Sequence, residues 1–123
     1  MKFLLIIGLG GGVGSILRYL MQVGINKITP ALAFPLGTFI VNITGCFLIG
    51  LFYGTAARHS WFSEEWRLML ITGLCGGYTT FSSFSYESMS LMAEGHFLYF
   101  GLYIGLSILF GLSATWLGYV VMR

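Results

Sequence analysis

Charged side chains are scarce in this sequence. Of 123 residues, six are Lys or Arg and four are Asp or Glu, together 8% of the chain, whereas about a quarter of an average soluble chain is charged. Four stretches contain no charge at all: residues 3–17, 28–57, 68–86 and 97–122. Three of them exceed the ~18 apolar residues that mark a membrane span. The composition excludes an ordinary soluble domain and predicts an integral membrane protein.

The sequence also lacks the groups that most enzymes use. His59 and His96 lie in different predicted loops, and no Cys or acid is spaced to share a metal ion with either. The acids Glu64, Glu65 and Glu94 fall at the ends of predicted spans. Six scattered Lys and Arg residues form no basic patch for nucleic acid. We therefore expect neither an enzyme nor a nucleic-acid-binding protein.

The apolar stretches predict an all-α membrane protein with a single domain of four transmembrane helices. Pro35 suits the first turn of the second predicted helix. Ser63 followed by Glu64 and Glu65 is typical of a helix N-terminus and marks the start of the third. The predicted spans are residues 3–22, 35–57, 64–93 and 97–122.

The third predicted span is too long for one simple crossing. About thirty helical residues extend ~45 Å, while the hydrocarbon core is ~30 Å thick. Gly76, Gly77 and a run of hydroxyl residues interrupt its apolar pattern. Backbone groups freed inside a membrane must be satisfied by protein, water or an ion. We predict a broken third helix with a transport site near its centre, and the alternative is a continuous tilted helix with packing glycines.

Uncharged polar stripes lie on the second and fourth spans. Thr38 and Asn42 are four residues apart in one span, as are Tyr103 and Ser107 in the other, so each pair lies on one helix face. Asn42 is either a hydrogen-bonding contact between helices or a lining group. Amide, hydroxyl and Phe ring edges attract an anion weakly. Weak, multiple contacts favour ion conduction over storage.

Two ionisable residues, Arg18 and Glu87, are embedded near span ends. Charges within a membrane are costly, which indicates a functional role. The alternatives are that they extend to the interface or form an ion pair with each other.

Basic residues divide weakly between the two sides of the predicted bundle. Four of them fall on the side of the termini and two on the other, which is a small positive-inside bias. The chain inserts either in both orientations or in one slightly favoured orientation. The four are Lys2, Arg58, Arg67 and Arg123, and the two are Arg18 and Lys27.

Glycines four residues apart recur in the spans. Such pairs allow membrane helices to approach closely. We interpret four pairs in this way: Gly10 with Gly14, Gly50 with Gly54, Gly73 with Gly77, and Gly101 with Gly105.

Three stretches resemble the signature segments of the Fluc, or CrcB-type, fluoride ion channels: GGGVGSILRY (10–19), GTFIVNITG (37–45) and GLCGGYTTFSSFSYE (73–87). The resemblance implies an antiparallel, dual-topology homodimer in the bacterial plasma (inner) membrane. It also implies two fluoride pores that export cytoplasmic fluoride passively, and a structural sodium ion at the dimer centre.

The same resemblance implies residue roles. Phe81 and Phe84 match the phenylalanine box of the family, and Asn42 matches its pore asparagine. Gly76 and Thr79 match the positions whose backbone carbonyls hold sodium. The remaining implied residues are Thr38, Ser83, Tyr103 and Ser107 along the fluoride route, Arg18 near the vestibule and Glu87 beside the polar track. Gly111 departs from the pattern, because a third hydroxyl is usual there.

The main alternative is a small, dual-topology, proton-coupled exporter of similar size. Such a carrier requires a carboxyl group in its first span, and no acid precedes Glu64. A membrane assembly subunit is a third possibility, but it gives no reason for the polar segment 76–81.

Overall fold

The computed structural model describes residues 1–123, which form helices and no strands. The helices are α1 (Lys2–Ile28), α2 (Leu36–Arg58), α3 (Glu64–Trp66), a π-helical segment (Arg67–Cys75), α4 (Gly76–Tyr78), α5 (Phe81–Ala93) and α6 (Phe97–Met122). Three of them are long: α1 and α2 precede residue 59, and α6 is the last helix.

Three helices, α1, α2 and α6, are long and apolar enough to cross a membrane. Only 20 of the 123 residues are buried within the chain, and many large apolar side chains are exposed. Such a surface suits lipid or another protein rather than water. The chain is therefore a multi-pass membrane protein.

Glycines position the long helices at close range. A Cβ atom on Gly10 or Gly14 of α1 would collide with backbone atoms of residues 69–78, and one on Gly50 or Gly54 of α2 would collide with the backbone of α6. These contacts agree with packing through small residues. A Cβ atom on Gly101 or Gly105, in contrast, would have no atom of another helix within 4 Å, so that pair packs against nothing in its own subunit.

The stretch between residues 64 and 93 is divided into shorter helical pieces. Helical geometry stops after Tyr78 and resumes at Phe81. Thr79 (φ −81°, ψ 158°) and Thr80 (φ −148°, ψ 114°) are extended, a conformation that β-branched residues favour. We call these two residues the extended link. Gly76 is helical (φ −62°, ψ −39°) and Gly77 lies within α4, so the non-helical residues are the two threonines that follow the glycines.

Helix α1 ends at Ile28, beyond the predicted end near residue 22. The helix continues through the polar residues Asn26 and Lys27, which lie past the apolar stretch. Pro30 ends it, because the residue before a proline disfavours helical geometry. The hydroxyl of Thr29 donates to the Ile25 carbonyl at 2.9 Å and satisfies the last turn.

Both chain ends lie at the same end of the molecule as the loop between α2 and α3. Lys2 Nζ lies 3.4 Å from Glu65 Oε1, and Arg58 Nη1 lies 3.5 Å from the Arg123 carbonyl oxygen. The four basic residues counted above thus share one end, and Arg18 and Lys27 lie away from it along α1.

Candidate ion pathway

Asn42 of α2 forms a two-way contact with the extended link. Its Nδ2 donates to the Thr80 carbonyl at 3.1 Å, and its Oδ1 accepts from the Thr80 backbone N–H at 2.8 Å. One side chain therefore satisfies both backbone groups of a residue that has left the helical pattern. Within one subunit, Asn42 therefore serves as a hydrogen-bonding contact between helices. One of its two amide N–H groups remains free for another acceptor.

The side chains of the extended link satisfy the two helix ends beside it. Thr79 Oγ1 donates to the Cys75 carbonyl at 2.9 Å. Thr80 Oγ1 accepts from the Ser83 backbone N–H at 3.1 Å and is the N-cap of α5. The link is thus specified by two hydroxyls and by one amide from α2.

Two carbonyl oxygens at the link lose their usual donors. In a continuous α-helix the N–H of Thr80 would donate to the Gly76 carbonyl, but here it donates to Asn42. The carbonyl of Thr79 accepts no hydrogen bond. Gly76 is exposed, and a Cβ atom there would have only the Ile71 carbonyl, 3.9 Å away, within contact range. These open oxygens have the chemistry that a hard cation prefers.

Arg18 and Glu87 form no ion pair with each other, and both are half-buried. Arg18 Nε donates to the Gly77 carbonyl at 3.1 Å. A cation at this point complements the negative end of the helical segment that stops at Tyr78. The structure therefore places Arg18 against the backbone beside the link, which the sequence did not indicate.

Glu87 accepts two hydroxyl hydrogen bonds. Thr38 Oγ1 donates to its Oε2 at 2.9 Å, and Tyr103 Oη donates to its Oε1 at 3.0 Å. Thr38 and Tyr103 are 3% and 0% exposed. Three residues that the sequence placed on separate polar stripes thus meet at one carboxyl group.

A row of aromatic rings connects this carboxyl group to the link. The Phe84 ring lies 4.9 Å from the Tyr103 ring, and the Phe81 ring lies 5.7 Å from the Phe84 ring, centroid to centroid. Both pairs are tilted, a geometry that exposes ring edges as well as faces. Phe81 is 78% exposed, so its ring lies on an open surface of the chain.

Two cavities flank the row of rings. The larger, about 560 Å³, is lined by six residues among others: Asn42, Gly76, Thr79, Phe81, Phe84 and Ser107. The smaller, about 330 Å³, is lined in part by Thr38, Ser83 and Glu87. All the predicted residues except Tyr103 and Arg18 therefore line one cavity or the other, and Tyr103 touches both Glu87 and Phe84.

Ser107 carries the one buried side-chain polar atom of the chain that has no hydrogen-bond partner. Its hydroxyl is on the wall of the larger cavity. A buried donor without a partner is uncommon and indicates an unfilled contact. Gly111, one turn later, is buried with Cys46 Sγ 3.6 Å from where its Cβ would be, so the position that lacks the usual hydroxyl is packed against α2.

Sequence reasoning missed two contributors. Thr80 caps α5 and binds Asn42, and the Thr-x-x-Ser spacing at residues 80–83 is a capping signal that could have been noticed. Gln22 Nε2 donates to Thr38 Oγ1 at 2.9 Å. It follows Arg18 by four residues and so lies on the same face of α1.

Comparison with known proteins gives one family. The family model described as CrcB-like protein, Camphor Resistance (CrcB), matches residues 5–119. The chain belongs to the CrcB family. A curated relative from Flavobacterium psychrophilum is 49% identical to this CrcB-family chain over 123 residues, with 100% of the chain and 98% of the relative covered.

Two further relatives cover nearly the whole CrcB-family chain. One from Phocaeicola vulgatus is 49% identical, with 96% of each protein covered. One from Azobacteroides pseudotrichonymphae is 41% identical, with 98% of the chain and 96% of the relative covered. All three relatives carry the name Fluoride-specific ion channel FluC.

Proposed function

We propose that this protein is a fluoride-selective ion channel that exports fluoride passively from the bacterial cytoplasm across the plasma (inner) membrane, and that it is not an enzyme. The names of its relatives support the substrate. The observation that carries the proposal is the unpartnered Ser107 hydroxyl, in a cavity that also contains Asn42 and the two Phe rings.

Fluoride would pass the row of rings through many weak contacts. Phe81 and Phe84 offer ring edges, Ser107 offers a hydroxyl, and Asn42 offers its remaining amide N–H. Thr38, Tyr103 and Ser83 continue the polar lining toward Glu87, and Arg18 contributes positive charge near the vestibule. No Lys or Arg lines the larger cavity, so an anion there is not held by a fixed charge. Contacts of this kind allow an ion to enter and to leave.

We propose that the working assembly is an antiparallel, dual-topology homodimer with two pores. The exposed ring of Phe81 and the open cavity beside it leave one wall of the pathway missing within a single chain. In an antiparallel dimer each chain would supply the missing wall of its partner's pathway, which gives two pores. The small difference in basic residues between the two ends permits both orientations. In this assembly residues 64–93 are the third of four crossings, broken at the extended link.

We propose that a structural sodium ion lies at the dimer centre and is held by the carbonyls of Gly76 and Thr79 from both chains. The two oxygens lack their usual donors, and the side of Gly76 is open. When bound, the ion would supply positive charge to oxygens that no N–H satisfies. Within each chain, Asn42 keeps the Gly76 carbonyl free by taking the Thr80 N–H, and Thr80 Oγ1 keeps the Thr79 carbonyl free by taking the Ser83 N–H.

The decisive test is fluoride efflux from liposomes that contain the purified chain, with chloride efflux as the comparison. We expect rapid fluoride flux and little chloride flux. Phe81→Ile and Phe84→Ile keep apolar bulk but remove the ring quadrupole, so each should reduce flux by at least tenfold, which is ~1.4 kcal/mol in barrier height. Phe97→Ile, on the exposed start of α6, is the matched control and should retain normal flux.

Two outcomes would contradict the proposal. Near-normal flux in both ring variants would make Phe81 and Phe84 ordinary packing residues. A flux that requires a pH gradient would instead favour the proton-coupled exporter, since passive fluoride flow needs only the fluoride gradient.

A further inference from the structure

Gln22 is a polar residue of α1 that reaches another helix, and neither the resemblance nor the proposed pathway gives it a role. Its Nε2 donates to Thr38 Oγ1 at 2.9 Å, and the same oxygen donates to Glu87 Oε2 at 2.9 Å. Gln22 forms no recorded hydrogen bond with Glu87 itself. Any effect of Gln22 on the carboxyl group is therefore transmitted by the Thr38 hydroxyl.

The Thr38 hydroxyl has one proton and so can donate in only one direction. Five other threonines donate this proton to the carbonyl four residues earlier in the chain, whereas Thr38 donates to another helix. The five are Thr29, Thr44, Thr55, Thr79 and Thr115. Thr38 is the third residue of α2, so the carbonyl four residues earlier, that of Phe34, lies before the helix and already accepts from the Leu36 N–H. The Thr38 hydroxyl is therefore free to donate to another helix.

Gln22 occupies the acceptor side of this hydroxyl. Its amide N–H occupies a lone pair of Thr38 Oγ1 and leaves the hydroxyl proton directed at Glu87. Gly37, the residue before Thr38, keeps the two helices close: a Cβ atom there would lie 3.5 Å from Gln22 Cα and 3.1 Å from Asn26 Oδ1. Thr38 is buried, so within the chain no solvent replaces the amide.

We propose that Gln22 is a positioning residue of the ion pathway, which directs the Thr38 proton to Glu87 and thereby fixes the carboxyl group beside Tyr103 and Phe84. Four helices then meet at Glu87, which α5 carries. Thr38 of α2 and Tyr103 of α6 contact the carboxyl group directly, and Gln22 of α1 acts through Thr38. The functional consequence of this contact rests on the proposed fluoride conduction, but the contact itself does not.

Infrared spectroscopy of the full-length chain in lipid tests the contact without any flux. The Glu87 carboxyl band is identified by difference from Glu87→Gln. Gln22→Met keeps the length and bulk of the side chain but removes its donor, and it should shift this band. In a Thr38→Val background the same substitution should leave the band unchanged, because the connecting hydroxyl is absent.

A matched background controls for loss of a threonine hydroxyl elsewhere. Thr115→Val also removes one hydroxyl, but that hydroxyl bonds within α6. Gln22→Met should therefore shift the Glu87 band fully in the Thr115→Val background. A band that does not move in Gln22→Met, or a shift that persists in Thr38→Val, would overturn the inference.

Fluoride flux measures the consequence. Gln22→Met should lower flux about fivefold, the change expected from one ordinary hydrogen bond, in the wild-type and Thr115→Val backgrounds, and should have no added effect in Thr38→Val. A purely structural role would lower flux equally in all three backgrounds and would refute positioning. If the wild-type chain conducts no fluoride, the proposed function fails, while the infrared shifts still decide whether Gln22 acts through Thr38.

Discussion

Replacing Asn42 tests whether one side chain maintains the extended link. Asn42→Leu removes both hydrogen bonds to Thr80. Hydrogen bonds between membrane helices contribute ~0.6 kcal/mol on average, which for two bonds gives a lower bound near 1 kcal/mol. A buried polar group without a partner costs ~1–3 kcal/mol, which for the N–H and C=O of Thr80 gives about 2–6 kcal/mol.

We expect Asn42→Leu to lower the free energy of unfolding by about 2–4 kcal/mol, above the lower bound, because Thr80 is buried and loses both partners of its backbone groups. Asn42→Asp should not rescue stability, because a carboxylate within a membrane span costs about 2.5–3.5 kcal/mol and would face the Thr80 carbonyl oxygen that Asn42 Nδ2 contacts. Fluoride flux should fall in both variants.

Unfolding in a denaturing detergent, followed by tryptophan fluorescence, measures the change. Asn26→Leu is the matched control, because Asn26 is exposed on α1 and its side chain forms no recorded hydrogen bond; its effect should stay within ~0.5 kcal/mol. Equal stability of Asn42→Leu and Asn26→Leu would refute the view that Asn42 maintains the link.

Three further predictions follow from the ion site, the charge distribution and the glycine contacts. Complete replacement of sodium should lower both dimer stability and fluoride flux, and unchanged values after slow exchange would contradict the central ion. A terminal tag should be labelled from both sides of intact cells, whereas labelling from one side only would exclude dual topology. Gly118→Ala should destabilise the subunit by about 1–3 kcal/mol, because its Cβ would collide with the Phe47 carbonyl. Gly101→Ala, on an open face, should change thermal unfolding little, and a comparable loss in both variants would contradict this difference.

The apolar stretches predicted the helices well because burial in lipid requires the same property of every residue along a span. The positions of α2 and α6 follow from these runs of uncharged residues. The end of α1 was less predictable, since the helix continues past the apolar stretch until Pro30, where backbone geometry rather than polarity stops it.

The interruption near residue 78 shows where sequence reasoning reached its limit. Glycine is the usual reason to expect a break, but glycine also allows close packing, and Gly77 is used for that: a Cβ atom there would collide with the Gly11 backbone. The extended residues are Thr79 and Thr80, and their geometry depends on Asn42, which is 38 residues away from Thr80 in the sequence. A contact between distant residues leaves no local pattern.

The two embedded charges illustrate the same limit. The sequence offered an ion pair between Arg18 and Glu87 as one possibility, because opposite charges in a membrane usually compensate each other. The structure instead gives each a neutral partner, a backbone carbonyl for Arg18 and two hydroxyls for Glu87. Uncharged partners cannot be selected from sequence, since every residue carries a carbonyl and hydroxyls are frequent.

The residues that satisfy the extended link all come from earlier in the chain. Asn42 binds Thr80 and Arg18 binds the Gly77 carbonyl, so both partners have been synthesised before the ribosome reaches the residues they contact. A segment with open backbone groups is poorly suited to enter lipid alone, because each unsatisfied group costs several kcal/mol there. In the order of synthesis, α1 and α2 are already available when residues 64–93 emerge, so Arg18 and Asn42 are present before the interrupted segment folds against them.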